Sequence, residues 1–135
     1  MRLLTYGEII ERGTSRFTVA AQIGGEEVQL KMSGAVRVDN PYKYLSDFVA
    51  ELKVRLREER AGSAVLDFTD LTYCNSVGFY VLMDIIEAVY ESVPGTVTIK
   101  RLKDDDWQQE SLPILLDLDN EAVGRRTIVQ EIPSF

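Results

Sequence analysis

The sequence predicts a single α/β domain: a mixed, mostly parallel β-sheet that opens with an N-terminal β-hairpin and has helices packed on it. Three observations predict it. Apolar residues recur at helical spacing between Leu45 and Leu56. Two partly alternating β-rich runs flank Gly24-Gly25, a pair suited to a tight turn. From residue 64 onward, short apolar runs alternate with helical stretches, an order that calls for parallel pairing through right-handed crossovers.

The elements follow in chain order. Leu3 to Ile10 carries strand-formers, and the break Arg12-Gly13-Thr14-Ser15 lets it add as an edge strand or stay a loose arm, so residues 1–15 form an N-terminal strand or arm and residues 16–135 the domain proper. Phe17 to Ile23 and Val28 to Met32 form the hairpin. Asn40 as N-cap and Pro41 at the first helical position start a helix that runs to Glu59, with Leu45, Phe48, Val49, Leu52 and Leu56 inward, and Ala61-Gly62-Ser63 ends it. Ala64-Val65-Leu66-Asp67-Phe68 reads as a central strand buried on both faces, followed by turn residues Thr69-Asp70. A second helix starts at Asn75-Ser76 and reaches Glu91, with Val77, Val81, Ile85, Ala88 and Val89 inward and Tyr80, Asp84, Glu87 and Glu91 outward. Thr96 to Lys100 is a strand. Asp104-Asp105-Asp106 caps a short helix from Trp107 to Leu112 that Pro113 kinks or ends, and Thr127 to Glu131 is a last edge strand.

Composition narrows the function classes. The 135 residues fit one domain, and no apolar run is long enough for a membrane span. Glu8 interrupts any apolar signal region, so a cytoplasmic location is expected. Histidine is absent and Cys74 is the only cysteine, which removes Ser-His and Cys-His nucleophile pairs and the usual soft metal sites; no catalytic residue, metal or cofactor is expected. A net charge of −7, with no basic stripe, makes nucleic acid a poor ligand. The basic run around Lys53, Arg55 and Arg57 has Glu51, Glu58 and Glu59 at helical spacing and reads as a solvated helix face.

The stretch from Val65 to Phe79, with Asp67 at the end of an apolar run and Asn75-Ser76-Val77-Gly78 opening a helix, resembles the signature of the STAS domain, the family of anti-sigma-factor antagonists and sulfate-transporter tails. In that family the loop reads Asp-Ser-Ser-Gly or Asp-Ser-Ala-Gly. Val28 to Pro41, with Ser33-Gly34 after a strand, resembles the family's strand, Gly-Glu-Leu-Asp turn and first helix, so the likeness extends from about Arg16 to Glu131. The resemblance implies a regulatory or adaptor protein, not an enzyme, that docks an anti-sigma kinase, a phosphatase or a transport ATPase subunit through Asn75, Ser76, Val77, Gly78, Phe79, Tyr80 and Met83. Three departures bear on mechanism, the first being Asn75 in place of the motif's aspartate, which loses one charge. The family's phospho-acceptor immediately precedes the glycine, and here that position is Val77; Arg37 stands where the turn would end in Asp. Docking without the usual Ser/Thr switch is therefore the expectation.

Two alternatives stay open. Ser76 is the nearest hydroxyl and is read first as a helix cap and second as a phospho-acceptor, since free N–H groups and the positive dipole end favour a phosphate there. Asp67 and Asp70 could instead serve a Mg²⁺-dependent receiver-like phospho-acceptor. Monomer and homodimer are both compatible with the sequence.

Overall fold

The computed structural model describes residues 3–133. Strand β1 (Leu3–Glu11) pairs antiparallel with β2 (Thr14–Gly24), which turns through Gly25 and Glu26 into antiparallel β3 (Glu27–Val36). Helix α1 (Tyr42–Glu59) crosses to β4 (Ser63–Cys74), α2 (Ser76–Ser92) to β5 (Val97–Leu102), and α3 (Asp106–Leu115) with the single turn α4 (Glu121–Gly124) to β6 (Thr127–Ile132). The sheet runs β1-β2-β3-β4-β5-β6, parallel from β3 onward. Each crossover moves one strand in the same direction, and right-handed crossovers of that kind put every helix on one face. The core lies between that face and the helices, built from Val19, Leu30, Leu66 and Ile99 below and Leu45, Leu52, Val81 and Ile85 above.

The expected elements are present, with corrections at their ends. Leu3 to Ile10 is an edge strand in register with β2 along its length apart from a shift at Ile9/Ile10. Asn40 does not cap α1: Pro41 occupies the cap position without a side-chain bond, and the Asn40 and Pro41 carbonyls accept from Lys43 and from Tyr44 and Leu45. The helix ends at Arg60, whose left-handed φ of 51° lets its N–H reach the Leu56 carbonyl, before Ala61-Gly62-Ser63. Pro113 sits inside α3, in its last turns, and the helix continues to Leu115 because Leu112 and Leu115 both bury against the core. Val77, expected inward, is exposed.

The largest difference concerns β3 and β4. Ser33-Gly34 lies within β3, and Thr69-Asp70 lies within β4, because the two strands stay paired as far as Val36 and Cys74 through register shifts after Lys31 and Gly34. Gly34 adopts φ +96°, and a Cβ there would run into the Arg16 carbonyl of β2, so only glycine passes this irregularity. Strand β5 pairs with β4 only over Ala64 to Asp67. Beyond that point the fully buried Gln108 of α3 takes the neighbour's place. Its Nε2 donates to the carbonyls of Phe68 (2.8 Å) and Leu71 (2.9 Å), and its Oε1 accepts from the Leu102 N–H (2.7 Å). Both Nε2 hydrogens and the Oε1 have partners, as a buried polar side chain requires.

The far end of α2 carries no basic residue of its own. Arg126 supplies the cation from across the chain: it lies over the Tyr90 ring and donates to the carbonyls of Tyr90 (3.1 Å), Val93 and Gly95.

Two stability changes are expected. Gln108→Leu leaves two carbonyls and one N–H buried without partners and should cost about 2 to 4 kcal/mol in denaturant unfolding. Thr5, 2% exposed, has a buried hydroxyl with no hydrogen-bond partner. Thr5→Val removes that unpaired group while keeping the shape and should stabilise the chain by about 1 kcal/mol in the same measurement.

Candidate functional site

The long β4 delivers the chain to the start of α2 beside the end of β3. The Asn75 N–H donates to the Val36 carbonyl (3.0 Å), and its side chain does two further things. Oδ1 accepts from the Gly78 N–H (2.8 Å), which caps α2, and Nδ2 donates to the Val38 carbonyl (3.0 Å), which ties the helix start to the loop before α1. An aspartate could make the first bond and not the second. The asparagine thus ties the loop before α1 to the helix start as an aspartate would not.

Because Asn75 is the cap, Ser76 is released from that role. It occupies the first helical position with its side chain exposed, beside first-turn N–H groups and the positive end of a helix of 17 residues with no acidic residue in its first turn. Val77 (38% exposed), Tyr80 (63%) and Met83 (37%) follow on the outer side of α2. Asp84, next on that side, accepts a hydrogen bond from the Tyr42 hydroxyl of α1 (2.8 Å); burial and that bond push the Tyr42 pKa up to about 12, so the phenol stays a neutral donor.

Gly78 and Phe79 shape this surface from beneath. Gly78 is buried, and a Cβ there would lie 2.5 Å from Cys74 Sγ, 2.8 Å from Val36 Cγ1 and 3.0 Å from Asn75 Oδ1. The helix can approach the strand ends only with glycine at this point. Cys74 is buried, and burial raises its pKa to about 12, which keeps the thiol protonated and unreactive. Phe79 is half-buried against Trp107 (centroids 6.3 Å apart, planes at 24°); Trp107 also meets Tyr73 (6.0 Å), and the Arg37 guanidinium sits 4.3 Å above the Tyr73 ring.

This aromatic shelf was not legible in the sequence. Arg37, Tyr73 and Trp107 come from three segments joined only by the fold, and the one signal was a lone tryptophan beside a three-aspartate cap. That cap is real: Asp105 accepts from the Gln108 N–H (3.0 Å).

Asp67 and Asp70 lie around the Lys31 ammonium, on which both carboxylates act. Asp67 Oδ1 accepts from the N–H (2.9 Å) and hydroxyl (2.6 Å) of Thr69, and Asp70 pairs with Lys31 (2.9 Å) on the face of the sheet opposite the helices. Among the described residues, no group of three or more His, Cys, Asp or Glu is arranged to hold a metal ion, and no helix is long and apolar enough to cross a membrane.

Comparison with known proteins places the architecture. No family model and no curated protein sequence matches the chain. Solved structures do. Apo-SiaC from Pseudomonas aeruginosa superposes with a TM-score of 0.57 at 20% identity, over 91% of this chain and 98% of that one. A second structure of SiaC of Pseudomonas aeruginosa gives 0.57 at 19% identity, over 98% and 99%. The anti-sigma factor antagonist SpoIIAA in its unphosphorylated form gives 0.50 at 10% identity, over 83% and 87%. The chain shares the fold of these structures, the STAS-type fold that the sequence signature implied.

The geometry of Gly78 and Asn75 makes a prediction. Gly78→Ala improves helix propensity by about 1 kcal/mol but overpacks against Cys74 and Val36, for a net loss of about 1 to 2 kcal/mol in denaturant unfolding. A double-mutant cycle with Cys74→Ala should show positive coupling, since the sulfur is the nearest obstacle. Asn75→Ala should cost about 1 to 2 kcal/mol through the lost cap.

Proposed function

We propose that the chain is a non-catalytic regulatory adaptor of the STAS type that docks a partner protein through the exposed start of α2. Ser76, Val77, Tyr80 and Met83 would make the contact, with Asn75, Gly78 and Phe79 holding the helix in position. The observation that carries this reading is the juxtaposition of three exposed apolar side chains with the N-terminal, positive end of α2. Isolated exposed apolar residues are ordinary, but Tyr80 and Met83 lie within two turns of a rigid, glycine-seated helix start braced by Phe79 and Trp107. The fitting partner is a cytoplasmic regulator of the kinase or phosphatase type, or a transport ATPase subunit. SpoIIAA, one of the proteins of similar structure, is an anti-sigma factor antagonist, which supports a regulatory role for this fold.

Gly78 has no room for a side chain, so the face is tested from its exposed residues. Affinity capture followed by mass spectrometry, comparing the wild-type chain with a Val77→Glu, Tyr80→Glu double variant, should show a partner retained by the first and lost by the second. With the purified partner, Tyr80→Ala should weaken binding roughly tenfold or more. Partners held equally by both baits would reject the face.

A second reading keeps the fold and adds a switch at Ser76, favoured by one observation: Asn75 caps the helix, so the exposed Ser76 hydroxyl is not engaged in capping. A phosphate there would meet the first-turn N–H groups and bring about two negative charges to a surface whose exposed neighbours are apolar. The residue before the glycine would then be no obstacle, because the acceptor sits one position earlier. Incubation with a cognate kinase and ATP should add one phosphate that Ser76→Ala abolishes; an unmodified Ser76 under conditions that phosphorylate other substrates of that kinase would leave docking without this switch.

A further inference from the structure

All helices pack on one face of the sheet, and among the described residues nothing covers the other. Along every strand its side chains alternate with core residues, and the registers align them in levels. One level runs Ala20, Lys31, Asp67, Lys100 and Gln130 across β2 to β6. The next runs Gln22, Gln29, Val65, Thr98 and Ile128. Apart from Ile128, these residues line a trough in which Val65, Asp67, Thr98 and Lys100 are already half-buried.

The charges on this face have a symmetry. With strands in the order β1 to β6, the middle of the sheet falls between β3 and β4, and there Lys31 and Asp67 sit side by side with opposite charge. A two-fold axis parallel to the strands at that middle lays β3 over β4, β2 over β5 and β1 over β6 of a second sheet, and keeps each level over itself. Lys31 then faces the partner's Asp67, and Asp67 faces the partner's Lys31. The long Lys100 side chain faces the partner's Ala20, which leaves space for it, and Gln29 faces the partner's Val65. An axis across the strands sets Lys31 over Lys31 and Asp67 over Asp67, which like-charge repulsion disfavours. The two sheets twist alike, so stacking at about 10 Å with the usual −30° between strand directions preserves these facings.

We propose that this open face is a homodimer interface, on which a second copy of the chain stacks sheet to sheet about the strand-parallel two-fold axis. The arrangement is isologous, as a closed dimer requires. Lys31, paired with Asp70 (2.9 Å) and beside Asp67 within one chain, keeps its side chain 51% exposed and so able to face a further carboxylate. The start of α2 belongs to the other layer of the molecule, so both copies in the dimer keep their docking faces free.

Sedimentation of the full chain over a concentration series tests the proposal. The wild type should pass from monomer to dimer as concentration rises. Lys31→Glu and Asp67→Lys should each weaken the dimer roughly tenfold or more, because each sets like charges opposite one another. An equimolar mixture of the two variants should dimerise again, since both facing pairs in the mixed dimer regain opposite sign. Ala20→Arg, which touches neither Asp67 nor its bonds to Thr69, should abolish the dimer alone by filling the space for Lys100. A wild type that stays monomeric throughout overturns the proposal. So does a dimer unchanged in all three variants, or a mixture that stays monomeric while circular dichroism shows both variants folded.

Discussion

The start of α2 depends on β4 outrunning its neighbour. Strand β4 has 12 residues and β5 has 6, and they pair only as far as Asp67. A strand that continues past its partner exposes carbonyls that must find donors if buried. Gln108 provides them, and in doing so sets the position of α3. Trp107, its neighbour, thereby lies against Tyr73 and Phe79, and the second helix is held at the height where Asn75 can reach Val38. One buried amide thus links the sheet, the third helix and the candidate site, which is why the site can be rigid although it is built from the ends of several segments.

What the sequence revealed followed from local rules. Helices α1 and α2 could be read because Leu45, Phe48, Val49, Leu52 and Leu56, and then Val81, Ile85, Ala88 and Val89, recur at the period of a helix whose inner face is apolar. The hairpin could be read from its alternation and its glycines. The extension of β4 could not, because Thr69-Asp70 has the composition of a turn, and only the long-range pairing with β3, relaxed by the left-handed Gly34, keeps it extended. The cap posed a different ambiguity. Asn75 and Ser76 both belong to the residue types favoured at a helix start, and only the bond of Asn75 to Val38, a residue 37 positions away, decides between them. Arg37, Tyr73 and Trp107 come together only through the fold, and the lone tryptophan beside the three-aspartate cap was their one local signal.

The unequal faces of the sheet follow from the topology and not from composition. Three crossovers advancing in one direction leave no element to cover the second face, and the antiparallel β1-β2-β3 ribbon cannot return a helix to it. The residues there are accordingly mostly polar or short, with Val65 in the middle and the apolar Tyr6 and Ile128 at the margins. Such a face is stable in water, so its charge pattern is not demanded by folding. The alternation of Lys31, Asp67 and Lys100 across adjacent strands does satisfy cross-strand pairing within one chain. That pairing alone would be satisfied as well by an alternation placed anywhere in the sheet, and its location at the middle is the feature that makes the face complementary to itself.

The two layers therefore carry different chemistry. On the helical side, the exposed surface at the start of α2 is apolar and offers backbone donors; on the sheet side it is charged in alternation and backed by small side chains. Apolar side chains over a helix N-terminus suit a partner contact whose strength can be altered by one added phosphate, because a dianion changes such a surface far more than it would a surface already rich in carboxylates. The protein as a whole carries a charge of −7, yet the first turn of α2 has no acidic residue. Keeping the helix start of the candidate site uncharged in an acidic molecule preserves the contrast on which that kind of recognition would depend.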